Sequence, residues 1–170
     1  MTTISNSRNL ELTPLNPICS ENMCQALIRQ RQTGTSQMLY DLTTRSNIDN
    51  WIIISNDGDV KFWKNKFNDK NVYSTNNPEI YNNVLRTLIS DRKSELQSRK
   101  KYGLSGIKPC GLVIDGGLLF TNREVILTLT PVFEQHKSLG IHIYISSQVL
   151  KHIPSKIREC IDNFDTFKKK

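Results

Sequence analysis

The sequence predicts an α/β domain with a mainly parallel sheet, and three observations carry that prediction. Short apolar or β-branched runs recur at Trp51-Ile52-Ile53-Ile54-Ser55, Leu112-Val113-Ile114 and Ile141-His142-Ile143-Tyr144-Ile145. Stretches with helical periodicity separate them, an order that calls for crossover connections. Each run also gives way to polar residues, at Ser55-Asn56, Asp115 and Ser146-Ser147-Gln148, so polar ends should line one edge of the sheet.

In chain order, residues 1–22 are rich in Ser, Thr and Asn and read as an irregular lead-in; residues 23–170 form the domain. A first strand is expected over 23–28, a turn-like segment over 29–35, and a helix over 36–45 with Met38, Leu39 and Leu42 on its apolar face. The strand at 51–55 is followed by Asn56-Asp57-Gly58-Asp59, which reads as a loop with turn chemistry. A short element carries Phe62, Trp63 and Phe67, and a brief strand is expected at 72–73. From Pro78 to a stop at Gly103 the pattern is helical, with Ile80, Val84 and Leu88 on one row and Tyr81, Leu85 and Ile89 on the next. Its basic tail, 92–101, reads as a solvated face. After the central strand come a helix over 122–138 interrupted or kinked near Pro131, the strand at 141–145, a short helix over 155–160 and a last strand near 164–167.

A chain of 170 residues suits one domain, and 37 % hydrophobic residues suffice for a core. No run approaches the length of a membrane span, and the opening residues lack a secretory signal pattern. Cys19, Cys24, Cys110 and Cys160 form no CxxC pair, so free thiols in a reducing compartment are expected rather than a zinc site. His136, His142 and His152 have no metal-ligand spacing and read as structural or exposed. The 23 Lys plus Arg outnumber 16 Asp plus Glu, for a net charge of +7, which suits a nucleic-acid or nucleotide partner without specifying one.

The segment Cys110-Gly111-Leu112-Val113-Ile114-Asp115-Gly116-Gly117 organises the chain: a buried strand ends abruptly in a carboxylate, and two glycines turn the chain away. In a nucleotide-hydrolysing fold such a carboxylate holds a magnesium ion; the plain alternative is a turn aspartate. The phosphate loop of such folds is G-x-x-x-x-G-K-[ST] between a strand and a helix. The segment in that position is Arg29-Gln30-Arg31-Gln32-Thr33-Gly34-Thr35-Ser36. Gly34 and Ser36 match; Arg29 stands for the first Gly and Thr35 for the Lys.

Taken together, residues 28–36, 110–117 and 141–163 resemble the genome-packaging ATPases of large cytoplasmic DNA viruses, in the FtsK/HerA group. The first loop there often reads I-G-K-R-x-T-G-K-S. Leu139 to Gln148 looks like the strand whose terminal Gln senses the γ-phosphate. Ile153-Pro154-Ser155-Lys156-Ile157-Arg158 and Ile161-Asp162-Asn163 look like the family's I-P-x-x-I-R-x-N-x-D segment. The resemblance implies a P-loop NTPase-like fold of RecA/ASCE type, short on its C-terminal side, with ATP and Mg2+ as cofactors. It also implies DNA as a partner, a homo- or hetero-oligomeric ring, and a place in the host cytoplasm or at the virus assembly site. Carried over residue by residue, it puts Asp115, Gln148 and Arg158 in catalytic roles. Arg31, Thr33, Gly34, Thr35 and Ser36 would lie at the nucleotide, and Ser36 and Asp115 at the metal.

The departures fall on the chemistry. Thr35 cannot supply the lysine charge, Gly116 stands where a second acidic residue is usual, and Glu134-Gln135-His136 stands where relatives tend to carry G-R-H. Three readings follow: a packaging-ATPase homologue with little or no turnover, an active motor subunit completed by a neighbour, or a basic DNA-binding domain without nucleotide.

Overall fold

In the computed structural model, residues 23–30, 34–104, 106–116 and 120–166 are described. The elements run β1 (Cys24–Ile28), α1 (Thr35–Arg45), β2 (Trp51–Ser55), α2 (Asp57–Lys66), β3 (Val72–Ser74), α3 (Pro78–Lys101), β4 (Cys110–Asp115), α4 (Arg123–Gln135), β5 (Ile141–Ser147), α5 (Ser155–Arg158) and β6 (Asn163–Thr166). The six strands form one sheet in the order β3-β2-β4-β5-β1-β6, and each pairing is parallel. All the carboxyl ends therefore share one edge, as expected.

The two faces of the sheet bury different residues because successive side chains on a strand alternate. Ala26, Ile54, Leu112, Ile114, Ile143 and Ile145 face a cluster with Tyr81 and Leu85 of α3, Leu129 and Phe133 of α4, and Ile157 of α5. Leu27, Ile53, Val113 and Tyr144 face the opposite cluster, with Leu39 of α1 and Trp63 of α2. Helices thus cover both faces, which is why the central strands read as continuous apolar runs. Complete burial of each Leu, Ile, Val or Phe among them stabilises the fold by about 1.5–3 kcal/mol.

Four local expectations are corrected. The segment expected as a loop after β2 is the start of α2: Asn56 is its N-cap, and Asp57 and Asp59 in the first turn, with Lys64 and Lys66 in the last, suit the helix dipole. In α3, Ile80 is exposed and the buried stripe is Tyr81, Asn82, Leu85, Leu88 and Arg92. Arg92 is accordingly not on a solvated face. Its guanidinium donates to the carbonyls of Leu139 (2.8 Å), Lys108 (2.6 Å) and Gly140 (3.1 Å), at the amino edge of the sheet. Finally, α4 is not interrupted at Pro131 and ends at Gln135 rather than 138, with the Asn122 side chain accepting from the Glu124 and Val125 amides at its start. Residues 1–22, including Cys19, lie outside the described residues. Cys24, Cys110 and Cys160 are free thiols. No helix among the described residues is long and apolar enough to cross a membrane.

Candidate functional site at the carboxyl edge

Asp115 closes β4 and is almost wholly buried. A buried carboxylate needs partners to offset its lost hydration, and three side chains from three elements supply them. The Ser146 hydroxyl donates to Oδ1 at 2.8 Å, and Ser36 Oγ (2.5 Å) and Trp63 Nε1 (2.9 Å) donate to Oδ2. Ser146 is there because the parallel register of β4 and β5 pairs it with Asp115. Ser36 is there because β1 lies next to β5, and α1 begins where the chain leaves β1's end. Trp63 reaches across from α2, on the face that fills the second core cluster.

Gly34 holds a left-handed conformation (φ 73°) and caps α1; Thr35 and Ser36 form the helix's first residues. A left-handed Gly before a helix whose second residue carries a hydroxyl directs backbone amides and that hydroxyl toward one spot. Arg31 and Thr33 lie outside the described residues. Arg29 ends largely buried just beyond β1, where its backbone N–H donates to the Ser147 carbonyl at 2.9 Å.

Gln148 is exposed immediately past β5, on the same edge as Asp115. Arg158 closes α5, half-buried, with its Nε lacking a hydrogen-bond partner among the described residues. Neither residue hydrogen-bonds to the Asp115 cluster among the described residues. Ser36 and Asp115 are thus two expected site residues that the structure joins directly.

Four other residues belong to the site. Ser146 could have been found by counting register from Asp115; Trp63 has no local sequence signal, since 52 positions separate it from its partner. Asn56 packs over Gly116: a Cβ added to Gly116 would lie 2.6 Å from Asn56 Cγ, and Gly116 has φ 124°. The place where a side chain at position 116 would project is thus filled by the Asn56 amide. Asp59, partly buried in the first turn of α2, has its pKa raised by burial and then by the Asp115 charge.

Oxygen donors alone, a helix-head hydroxyl and a carboxylate, are the kind of ligands magnesium takes, so Ser36 and Asp115 fit that ion. What the described residues do not place there is the lysine that position 35 usually provides. A separate cleft of about 450 Å³ lies between α3 and α4, and none of its lining residues, Arg86, Ile89, Glu124, Leu127, Thr128 and Pro131, belongs to the Asp115 cluster.

No family model and no curated protein matches the chain. Solved structures do. ATPases 2 and 3 of EssC from Geobacillus thermodenitrificans align over 85 % of this chain with TM-score 0.66 and 12 % identity. The cytoplasmic domain of the Thermomonospora curvata type VII secretion ATPase EccC aligns over 87 % with TM-score 0.66 and 19 % identity. The pCW3 conjugation coupling protein TcpA, solved with ATPγS, aligns over 86 % with TM-score 0.60 and 16 % identity. This chain spans 32 %, 20 % and 48 % of those three chains respectively. At such identities the likeness is one of fold, and that fold is P-loop NTPase-like.

Proposed function

We propose that this chain is a homologue of viral DNA-packaging ATPases that binds ATP with magnesium and hydrolyses it slowly. The observation that carries the proposal is the Ser36–Asp115 hydrogen bond at the head of α1. It joins the hydroxyl and the carboxylate that would hold the metal, one at the head of the helix after β1 and one at the end of β4, the two strands that flank β5. Bound there, magnesium would offset charge on the phosphates. Gly34 and the first amides of α1 would face those phosphates, and Gln148 would stand at the end of the strand between. Thr35 offers no charge, and losing a charge-assisted hydrogen bond costs about 1.5–3 kcal/mol of nucleotide affinity. Slow turnover follows from that loss. The charge of +7, with Lys100, Lys101, Lys151 and Lys156 exposed, suits DNA as the partner, and a ring of like or unlike subunits would bring Arg158 and its counterparts together.

The test is nucleotide binding and phosphate release by the purified chain, with and without Mg2+ and DNA. Magnesium-dependent ATP binding is expected, weakened by Ser36→Ala and tightened about tenfold or more by Thr35→Lys, with turnover well below about 1 s⁻¹. Absence of nucleotide binding in either metal condition would overturn the proposal. So would turnover near about 1 s⁻¹ that Asp115→Ala abolishes.

A further inference from the structure

Hydrolysis needs a group to take the proton of the attacking water, and position 116 cannot offer one. The neighbouring strand end can. Ser55, the last residue of β2, is in register with Asp115, and α2 begins two residues later, so its first turn stands beside the site. That turn holds two carboxylates on different sides of the helix, because two residues advance it by about 200°. Asp57 is engaged by the side chains of Ser74 and Asn76, toward β3. Asp59 lies one turn before Trp63 and shares its face, and Trp63 Nε1 is the donor that touches Asp115 Oδ2. Asp59 therefore faces the Asp115 side, partly buried and within reach of its charge.

The geometry points to Asp59 as the base of this site. The role usually found directly after the strand-end aspartate has moved to the adjoining strand and helix. In the step that follows, the water oxygen forms a bond to the terminal phosphorus. The bond from that phosphorus to the bridging oxygen breaks, and its electron pair stays with the departing diphosphate. The water's proton passes to the Asp59 carboxylate. This assignment rests on the ATP-binding proposal above, and the experiment keeps the two apart.

Nucleotide affinity, single-turnover hydrolysis and the Asp59 carboxyl carbon signal are measured on the full chain. Asp59→Asn should lower turnover at least about a hundredfold while ATP affinity and melting temperature stay put; Asp57→Asn should leave turnover unchanged. The Asp59 signal should shift on adding Mg2+ and ATP, and in Asp115→Asn its titration should move to lower pH. If the chain binds ATP but Asp59→Asn turns over within about twofold of the unmodified protein, or no turnover is detectable, the assignment of Asp59 is overturned and the binding proposal stands. If ATP does not bind, the binding proposal falls and the assignment with it.

Discussion

At the amino edge of the sheet the buried Arg92 guanidinium is tied to three backbone carbonyls, whereas at the carboxyl edge the buried Asp115 carboxylate is held by three side chains. Both edges bury charge, but only one can exchange its partners. Carbonyls belong to the backbone and stay where the fold puts them; hydroxyls and an indole can rotate or yield to a ligand. The amino edge also gathers Asp162, which accepts from the Cys24 amide at 2.9 Å and pairs with Lys137 Nζ at 2.7 Å, with the His136 ring 3.6 Å away. The difference separates charge that holds the sheet together from charge available for chemistry.

Breaking the amino edge should produce the largest change in stability. Arg92→Met strands the carbonyls of Leu139 and Lys108, while that of Gly140 keeps the Cys110 amide, and unsatisfied buried groups cost about 1–3 kcal/mol each before water or relaxation recovers part. A loss of about 3 kcal/mol is expected in urea denaturation, with ATP affinity of the folded fraction unchanged. A larger loss from Asp115→Asn than from Arg92→Met would reverse the comparison.

Acid should act on the same edge. Burial lowers the His142 pKa from its ordinary 6.5 to about 4; the charge of His136 adds to the effect and Asp162 opposes it. The unfolded chain therefore binds more protons than the folded one between those values. Stability falls as pH drops from about 6.5 to about 4, by roughly 2–3 kcal/mol in all. Asp162 works lower: burial alone would raise its carboxyl, but the hydrogen bonds from Lys137 and Cys24 and the charges of Lys137 and His136 hold it below its ordinary 3.8. Its stabilisation is present above that value and lost as pH falls through the lower folded one, so the two windows are distinct. Denaturation at several pH values checks this, and His142→Phe should flatten the upper window; an unchanged slope there would remove His142 from the account.

The carboxyl edge should answer a smaller change at Gly116. A left-handed backbone there, with Asn56 against the added Cβ, predicts that Gly116→Ala loses about 1–2 kcal/mol. Adding Asn56→Gly should recover the steric share and leave the backbone share. Full recovery would mean that strain at φ 124° contributes nothing.

The strands were legible because both faces of the sheet are covered, which leaves unbroken apolar runs such as Ile52 to Ile54. Asp115 was legible by its place, at the carboxyl end of an apolar run on the sheet's ligand-binding edge, although a turn aspartate would read the same. The start of α2 was not, since Asn56-Asp57-Gly58-Asp59 has turn composition, and the same residues suit a helix N-terminus once Trp63 has a core to fill. Arg92 was readable in principle: Leu85, Leu88 and Arg92 fall at i, i+3 and i+7, a stripe that its charge disguised. Trp63 and Asp59 at the site depend on α2 packing across β2, a long-range event with no local trace.

The indole that holds Asp115 also makes the site self-reporting. Trp63 and Trp51 are the two tryptophans of the chain, and their N–H groups differ: one meets a carboxylate, the other the carbonyl of Ile48 while its ring stacks on Tyr144. Their two indole signals should be separate in a nitrogen–proton spectrum, with the Trp51 signal steady as an internal reference. Any cation that draws the Asp115 charge away weakens what the Trp63 N–H feels, and that signal moves. Occupancy of the site can then be followed without any catalysis, through an atom already in place.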